Sequence, residues 1–206
     1  MKKITIQHIK NLKSLKTSFP TITAYDYMSA KIVDEAEIPL ILVGDSASMM
    51  IYGYDTTIPI SMEEILLLTK AVSRGSKRSL IVADMPFLSY QPSIEETIKN
   101  AGKLMKEGGA AAVKLEGGVR IKQNVYALVE HGIPVLGHVG LTPQSYHQMS
   151  GYKVQGKNNQ EAKQIIDDAC ALEEAGAFGI VLECIPEALA EKITNTLTIP
   201  TIGIGS

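Results

Sequence analysis

The segment Ile41-Leu42-Val43-Gly44-Asp45-Ser46 constrains this chain more than any other. Apolar residues and a glycine run straight into a carboxylate and a hydroxyl. A run with no polar alternation suits a strand buried on both faces, as in a parallel sheet. Its polar end then marks where the strand leaves the sheet. The same design returns four times. Leu80-Ile81-Val82-Ala83 ends in Asp84, and Ala111-Ala112-Val113 runs into Lys114-Leu115-Glu116. Ile133-Pro134-Val135-Leu136-Gly137 ends in His138, and Gly179-Ile180-Val181-Leu182 ends in Glu183. Five apolar strands that close on ionisable groups predict one polar site at the carboxyl edge of a parallel sheet.

Glycines set the rhythm between these strands. Glu116, His138 and Glu183 fall seven, six and seven residues after Gly109, Gly132 and Gly176. Each glycine stops a helical pattern, so the chain reads as β/α alternation. Seven strands are predicted, at about 21–25, 40–45, 79–84, 111–116, 133–138, 178–183 and 200–205. Asp26 caps a helix up to about 36. Ser61-Met62-Glu63-Glu64 and Ser93-Ile94-Glu95-Glu96 both have the capping-box pattern. Residues 47–60 show no helical period and are expected to form a loop over the site. Residues 4–16 form a short amphipathic helix suited to the open bottom of a barrel. An eight-stranded (β/α) barrel takes ~250 residues. The expectation is therefore an α/β chain, with residues 1–206 as a single (β/α)8 TIM-type barrel domain. Its eighth strand and C-terminal helices are expected to be missing from this chain.

Several function classes are unlike this sequence. At 206 residues and 45% hydrophobic it can bury one sizeable core. A net charge of −2 with no basic block excludes a phosphate-neutralising nucleic-acid surface. No apolar run reaches the ~20 residues of a membrane span, and the start lacks the apolar core of a signal peptide. With Cys170 and Cys184 read as reduced, a cytoplasmic protein is expected.

Asp45, Asp84 and Glu116 come from three strands. Converging carboxylates need their repulsion relieved, and a hard divalent cation such as Mg²⁺ does so with oxygen ligands. Any one of them alone reads first as a helix cap or half of an ion pair; three at equivalent places favour a metal or substrate site. Lys114 lies two residues before Glu116 and so shares its face. It could hold a substrate carboxylate or an enolate oxygen, form a Schiff base, or pair structurally with Glu116. Glu183 closes a very apolar strand, where desolvation suits a general base; capping the next helix is the competing role. His138 is a possible site neighbour or a satisfied core histidine. Gly203-Ile204-Gly205 is a weak phosphate signal, and small residues for packing explain it as well.

Several stretches together carry a wider likeness. They are Thr23-Ala24-Tyr25-Asp26, Val43-Gly44-Asp45-Ser46, Val82-Ala83-Asp84-Met85-Pro86-Phe87, Val113-Lys114-Leu115-Glu116-Gly117-Gly118, Gly137-His138-Val139-Gly140-Leu141-Thr142-Pro143-Gln144, Gly151-Tyr152-Lys153-Val154-Gln155-Gly156-Lys157 and Val181-Leu182-Glu183-Cys184. In this order the chain resembles the ketopantoate hydroxymethyltransferases over nearly its whole length. The resemblance implies a (β/α)8 barrel that transfers a hydroxymethyl group from 5,10-methylenetetrahydrofolate to 3-methyl-2-oxobutanoate. The product would be 2-dehydropantoate, formed through a Mg²⁺-stabilised enolate on the way to pantothenate and coenzyme A. It implies Asp45 and Asp84 as Mg²⁺ ligands with Glu116 beside the metal. Asp45, Ser46, Asp84 and Lys114 become substrate contacts, and Glu183 the proton acceptor. It also implies a homo-oligomer built from dimers and pentamers, a decamer. Ala47-Ser48-Met49 departs from the family's usual Leu-Gly-Met after the Asp-Ser pair. Two other enzyme readings stand beside it: a Mg²⁺-dependent C–C lyase of the isocitrate lyase type, and a Schiff-base aldolase using Lys114. A third is a barrel retained for assembly or binding without turnover.

Overall fold

The computed structural model describes residues 3–205. Its seven strands are β1 (Thr21–Thr23), β2 (Leu40–Val43), β3 (Leu80–Asp84), β4 (Ala112–Glu116), β5 (Val135–Gly140), β6 (Gly179–Glu183) and β7 (Thr201–Ile204). They pair in parallel and in sequence order, each with the next. Helices alternate with them: α1 (Ile6–Ser14), α2 (Tyr27–Glu35), α3 (Ala47–Met50), α4 (Met62–Gly75), α5 (Ile94–Lys106), α6 (Lys122–Glu130), α7 (Tyr146–Met149), α8 (Asn159–Glu174) and α9 (Glu187–Thr196). This is a (β/α) barrel whose helices pack outside the strands.

Local chemistry explains the boundaries. Asp26 caps α2 and forms a capping box with Ser29. Ser61 and Glu64 complete the expected box at α4. At α5 only half of the expected box forms: Ser93 accepts from the Glu96 N–H, while the Glu96 carboxylate turns to Lys99 at 3.3 Å. Gly109, Gly132 and Gly176 follow α5, α6 and α8 with φ of 81°, 76° and 95°. That is the left-handed region where glycine costs least.

Alternation divides each strand between two cores. Outward residues such as Ala83, Val113, Leu115, Val135, Ile180 and Leu182 meet the helices. Inward residues Leu40, Leu80, Val82, Ala112, Leu136 and Val181 pack together with Phe178 and with Ile9 of α1. Helix α1 thus lies against the interior cluster at the amino end of the strands.

Three expectations change. Residues 47–60 are not all loop, because α3 makes one helical turn directly after Asp45-Ser46. A single turn has no periodicity to reveal it. β2 ends at Val43, so Asp45 and Ser46 lie in the turn beyond it. β5 runs on to Gly140, which makes His138 its fourth residue and not its last.

Candidate active site

The register of the sheet brings the ionisable residues together. Asp84 lies opposite Lys114 on β3 and β4, and Glu116 opposite His138 on β4 and β5. Glu183 lies opposite Gly140 on β5 and β6. All share the parity of the inward apolar residues, so they occupy the carboxyl-end layers of the same interior.

Lys114 is the hub. Its Nζ stands 2.5 Å from Asp84 Oδ1 and 3.8 Å from Glu116 Oε1. All three side chains are buried. Burial works against the ammonium, but Asp84, Glu116 and Asp45 outweigh it and raise the lysine pKa. Lys114 is therefore held charged. Burial raises the Asp45 carboxyl well above the usual range, and the neighbouring Asp84 and Glu116 add to the effect. Asp84 is also raised by burial, against the pull of Lys114. For Glu116 burial is outweighed by His138, Lys114 and the Gln144 N–H, and its pKa falls.

His138 bridges two carboxylates. Its Nδ1 lies 3.4 Å from Glu116 Oε1 and its Nε2 lies 3.2 Å from Glu183 Oε2. Neither ring nitrogen has a well-aligned hydrogen bond, but both carboxylates stand close enough to favour the protonated ring. Burial and Lys114 oppose protonation, yet Glu116 and Glu183 prevail and push the imidazole up to about 9. At neutral pH His138 carries a proton. The full desolvation expected of Glu183 is not met, since 22% of its side chain remains accessible. It sits at the rim opposite Ile204, which is itself exposed.

The turn after β2 folds against this cluster. The Asp45 N–H donates to Asp84 Oδ2 at 2.9 Å. Ser46 Oγ and Tyr25 Oη share a hydrogen bond of 2.8 Å. A Cβ at Gly44 would lie 2.6 Å from Ser46 Oγ, so a side chain there would displace the Ser46 hydroxyl. Ser48, where the family pattern has glycine, is buried with an unpartnered hydroxyl.

Two buried residues that carry no charge complete the arrangement, and no pattern of charge or periodicity singles them out in the sequence. Gln144 donates from its side chain to Asp45 Oδ2 at 2.8 Å, and from its backbone to Glu116 Oε2 at 3.0 Å. Tyr90 Oη contacts Gln144 Oε1 at 2.9 Å and Glu116 O at 3.0 Å. Gln144 had only the Thr-Pro-Gln turn after β5 to mark it. Two cavities of about 490 and 620 Å³ flank Arg120. Glu116, Gln144, Tyr90 and Phe87 line the smaller one, and both have the size of small-molecule sites.

Among the described residues no three His, Cys, Asp or Glu side chains form a ready-made metal cluster. Glu116 is drawn away to His138 and Gln144. Asp45 and Asp84 stay adjacent, and their desolvated, mutually repelling oxygens are the donor chemistry that suits a hard cation. Two protein carboxylates, with remaining positions left to water and substrate, fit Mg²⁺.

The family model for ketopantoate hydroxymethyltransferase matches residues 3–206. The chain is 56% identical over 206 residues to the 3-methyl-2-oxobutanoate hydroxymethyltransferase of Carboxydothermus hydrogenoformans, covering 100% of this chain and 75% of that protein. The enzyme of the same name from Thermobifida fusca is 52% identical over 205 residues, covering 100% and 73%. Among solved structures, phosphonopyruvate hydrolase in complex with oxalate and Mg²⁺ superposes with a TM-score of 0.67 at 14% identity, over 98% of this chain and 81% of that one. 2,3-Dimethylmalate lyase, of the PEP mutase/isocitrate lyase superfamily, gives 0.69 at 16%, over 96% and 70%. These distant likenesses carry the fold alone.

Proposed function

The chain belongs to the ketopantoate hydroxymethyltransferase family, and we propose that its buried charge cluster transfers a one-carbon unit from 5,10-methylenetetrahydrofolate to 3-methyl-2-oxobutanoate. It is an enzyme, a hydroxymethyltransferase. The observation that carries the mechanism is Lys114, held charged between Asp84 and Glu116 at the carboxyl end of the barrel.

Asp45 and Asp84 would hold Mg²⁺, with Glu116 beside it. Bound there, the cation would supply a Lewis acid for the carboxylate and keto oxygens of a 2-oxo acid. Lys114 adds a fixed positive charge where negative charge develops, without reorganisation during the reaction. Ser46, oriented by Tyr25, offers a hydroxyl to the substrate. Glu183 takes the C3 proton, and its partial exposure leaves it reachable from the mouth. His138 holds Glu183 from behind through the 3.2 Å contact. The resulting enolate carbon attacks the folate-borne methylene as one of its C–N bonds opens; water then replaces the second C–N bond, leaving the hydroxyl of 2-dehydropantoate and returning a proton to the departing tetrahydrofolate nitrogen. A place before pantothenate and coenzyme A, a cytoplasmic setting and a homo-oligomeric state complete the proposal.

The Schiff-base alternative is disfavoured by the same hub, since a lysine kept protonated by two carboxylates is a poor nucleophile. The isocitrate-lyase-type alternative has only the distant fold likeness behind it. Incubation with both substrates and Mg²⁺ is expected to yield 2-dehydropantoate, and EDTA to stop it. Glu183→Gln is expected to abolish C3–H exchange in deuterated water while 2-oxo acid binding survives. Turnover after chelation would overturn the metal role, and retained exchange would remove Glu183 as the base.

A further inference from the structure

We propose that Gln144 is a positioning residue of this site, selecting which oxygens of Asp45 and Glu116 face the reacting centre. The inference rests on the metal reading above for its consequence, although not for its geometry. Gln144 follows Pro143 in the 3-10 turn Pro143–Ser145, which begins three residues after Gly140, the end of the strand that carries His138. Its side chain is buried and every amide atom is engaged. Nε2 donates to Asp45 Oδ2 at 2.8 Å and to the Met85 carbonyl at 2.9 Å. Oε1 meets Tyr90 Oη at 2.9 Å and Gln91 Nε2 at 3.2 Å.

These partners leave the amide one orientation. The Met85 carbonyl can only accept, and the Gln91 NH₂ can only donate. A flipped amide would set Oε1 against a carbonyl and a carboxylate. Meanwhile the Gln144 backbone N–H takes Glu116 Oε2 at 3.0 Å. One residue thus grips two carboxylates, one through its side chain and one through its backbone. Asp45 Oδ1 and Glu116 Oε1 are the oxygens left to face other groups. Glu116 Oε1 is the one nearest Lys114 and His138. Tyr90 ties the arrangement to β4, because its Oη also accepts the Glu116 N–H at 3.2 Å. A group that orients a ligating carboxylate without touching the metal typically changes metal affinity or activity 10–100-fold.

The test compares Gln144→Met, similar in length but with no donor, with Tyr90→Phe. Mn²⁺ binding is read by electron paramagnetic resonance, kcat and KM for the 2-oxo acid by steady-state kinetics, and the Asp45 rotamer from metal-free crystals. Gln144→Met is expected to weaken Mn²⁺ about 10–100-fold, to lower kcat more than it changes KM, and to turn the Asp45 carboxylate. Tyr90→Phe should follow in the same direction by less, since Gln91 still holds Oε1. A folded Gln144→Met protein with Mn²⁺ affinity and kcat within twofold of wild type, or with Asp45 in its original rotamer, overturns the inference. If Gln144→Met does not fold, Tyr90→Phe decides by the same readouts. If the wild-type protein binds no Mn²⁺, the metal reading falls, and the metal-free Asp45 rotamer alone decides the role of Gln144.

Discussion

The two ends of the barrel interior are made by the same strands and are packed on opposite terms. On β3, Leu80 and Asp84 point inward four residues apart. Leu80 meets Leu40, Leu136 and Ile9 in an apolar plug. Asp84 meets Lys114 and the Asp45 N–H. Both layers are buried, so burial alone does not distinguish them. The amino end gains from leaving water; the carboxyl end must offset desolvation with opposite charges and oriented N–H groups. The difference teaches where each layer is brittle. One responds to lost volume, the other to lost charge.

The largest effect should come from Lys114→Met. It would leave Asp84 and Glu116 buried without their shared cation. Breaking a buried pair from one side costs about 3–5 kcal/mol. Urea denaturation should show that loss, and turnover should vanish. A cost below about 1 kcal/mol would mean that water already enters the mouth, and the contrast between the ends would weaken.

Leu80→Ala should cost about 2–5 kcal/mol of stability through transfer and cavity terms. Here kcat per folded molecule should stay near wild type, because no charge or hydrogen bond at the mouth changes. A tenfold fall in kcat would show that the two layers move together.

Much of this division was legible from residue order. Apolar runs ending in Asp84, Glu116 and Glu183 marked the strand ends, and glycine spacing marked the helices before them. Long-range contacts were harder to see. Gln144 and Asp45 stand 99 residues apart in sequence, and an uncharged amide carries no signal of its own. Glu183 illustrates a related limit: its strand is apolar, but it lies opposite Ile204, an exposed residue of the next strand. The half-formed box at Ser93 turned on a competitor, Lys99, one turn along the helix. For Gln144 and Glu183 a tertiary neighbour decided what the local pattern left open; at Ser93 a second partner on the same helix did.

The pH dependence of stability sharpens the comparison, since the apolar plug has nothing to titrate. The folded state raises His138 from 6.5 to about 9. A raised pKa means that the stabilisation is fully present below about pH 6.5 and is lost as pH rises through about 9. At 1.36 kcal/mol per unit the total is on the order of 3 kcal/mol. Thermal melts of the metal-free protein should therefore fall between pH 6.5 and 9.5, and the fall should flatten in His138→Phe. An equal slope in both proteins would assign the titration to another group.

The smallest effect should come from Ser48, at the start of α3 beside the mouth. Its side chain is fully buried and its hydroxyl has no partner, although its backbone N–H donates to the Asp45 carbonyl at 2.9 Å. An unsatisfied buried hydroxyl costs roughly 1–3 kcal/mol. Ser48→Ala keeps the backbone bond, removes the orphan and adds helix propensity. Stability should rise by about 1 kcal/mol, measured by urea denaturation. At the amino end the comparable orphan is Thr21 Oγ1, on β1 opposite Leu40. A gain would show that the mouth holds polar groups at the expense of stability. A loss would mean that an ordered water satisfies the hydroxyl, and that the mouth is as fully paired as the plug is fully packed.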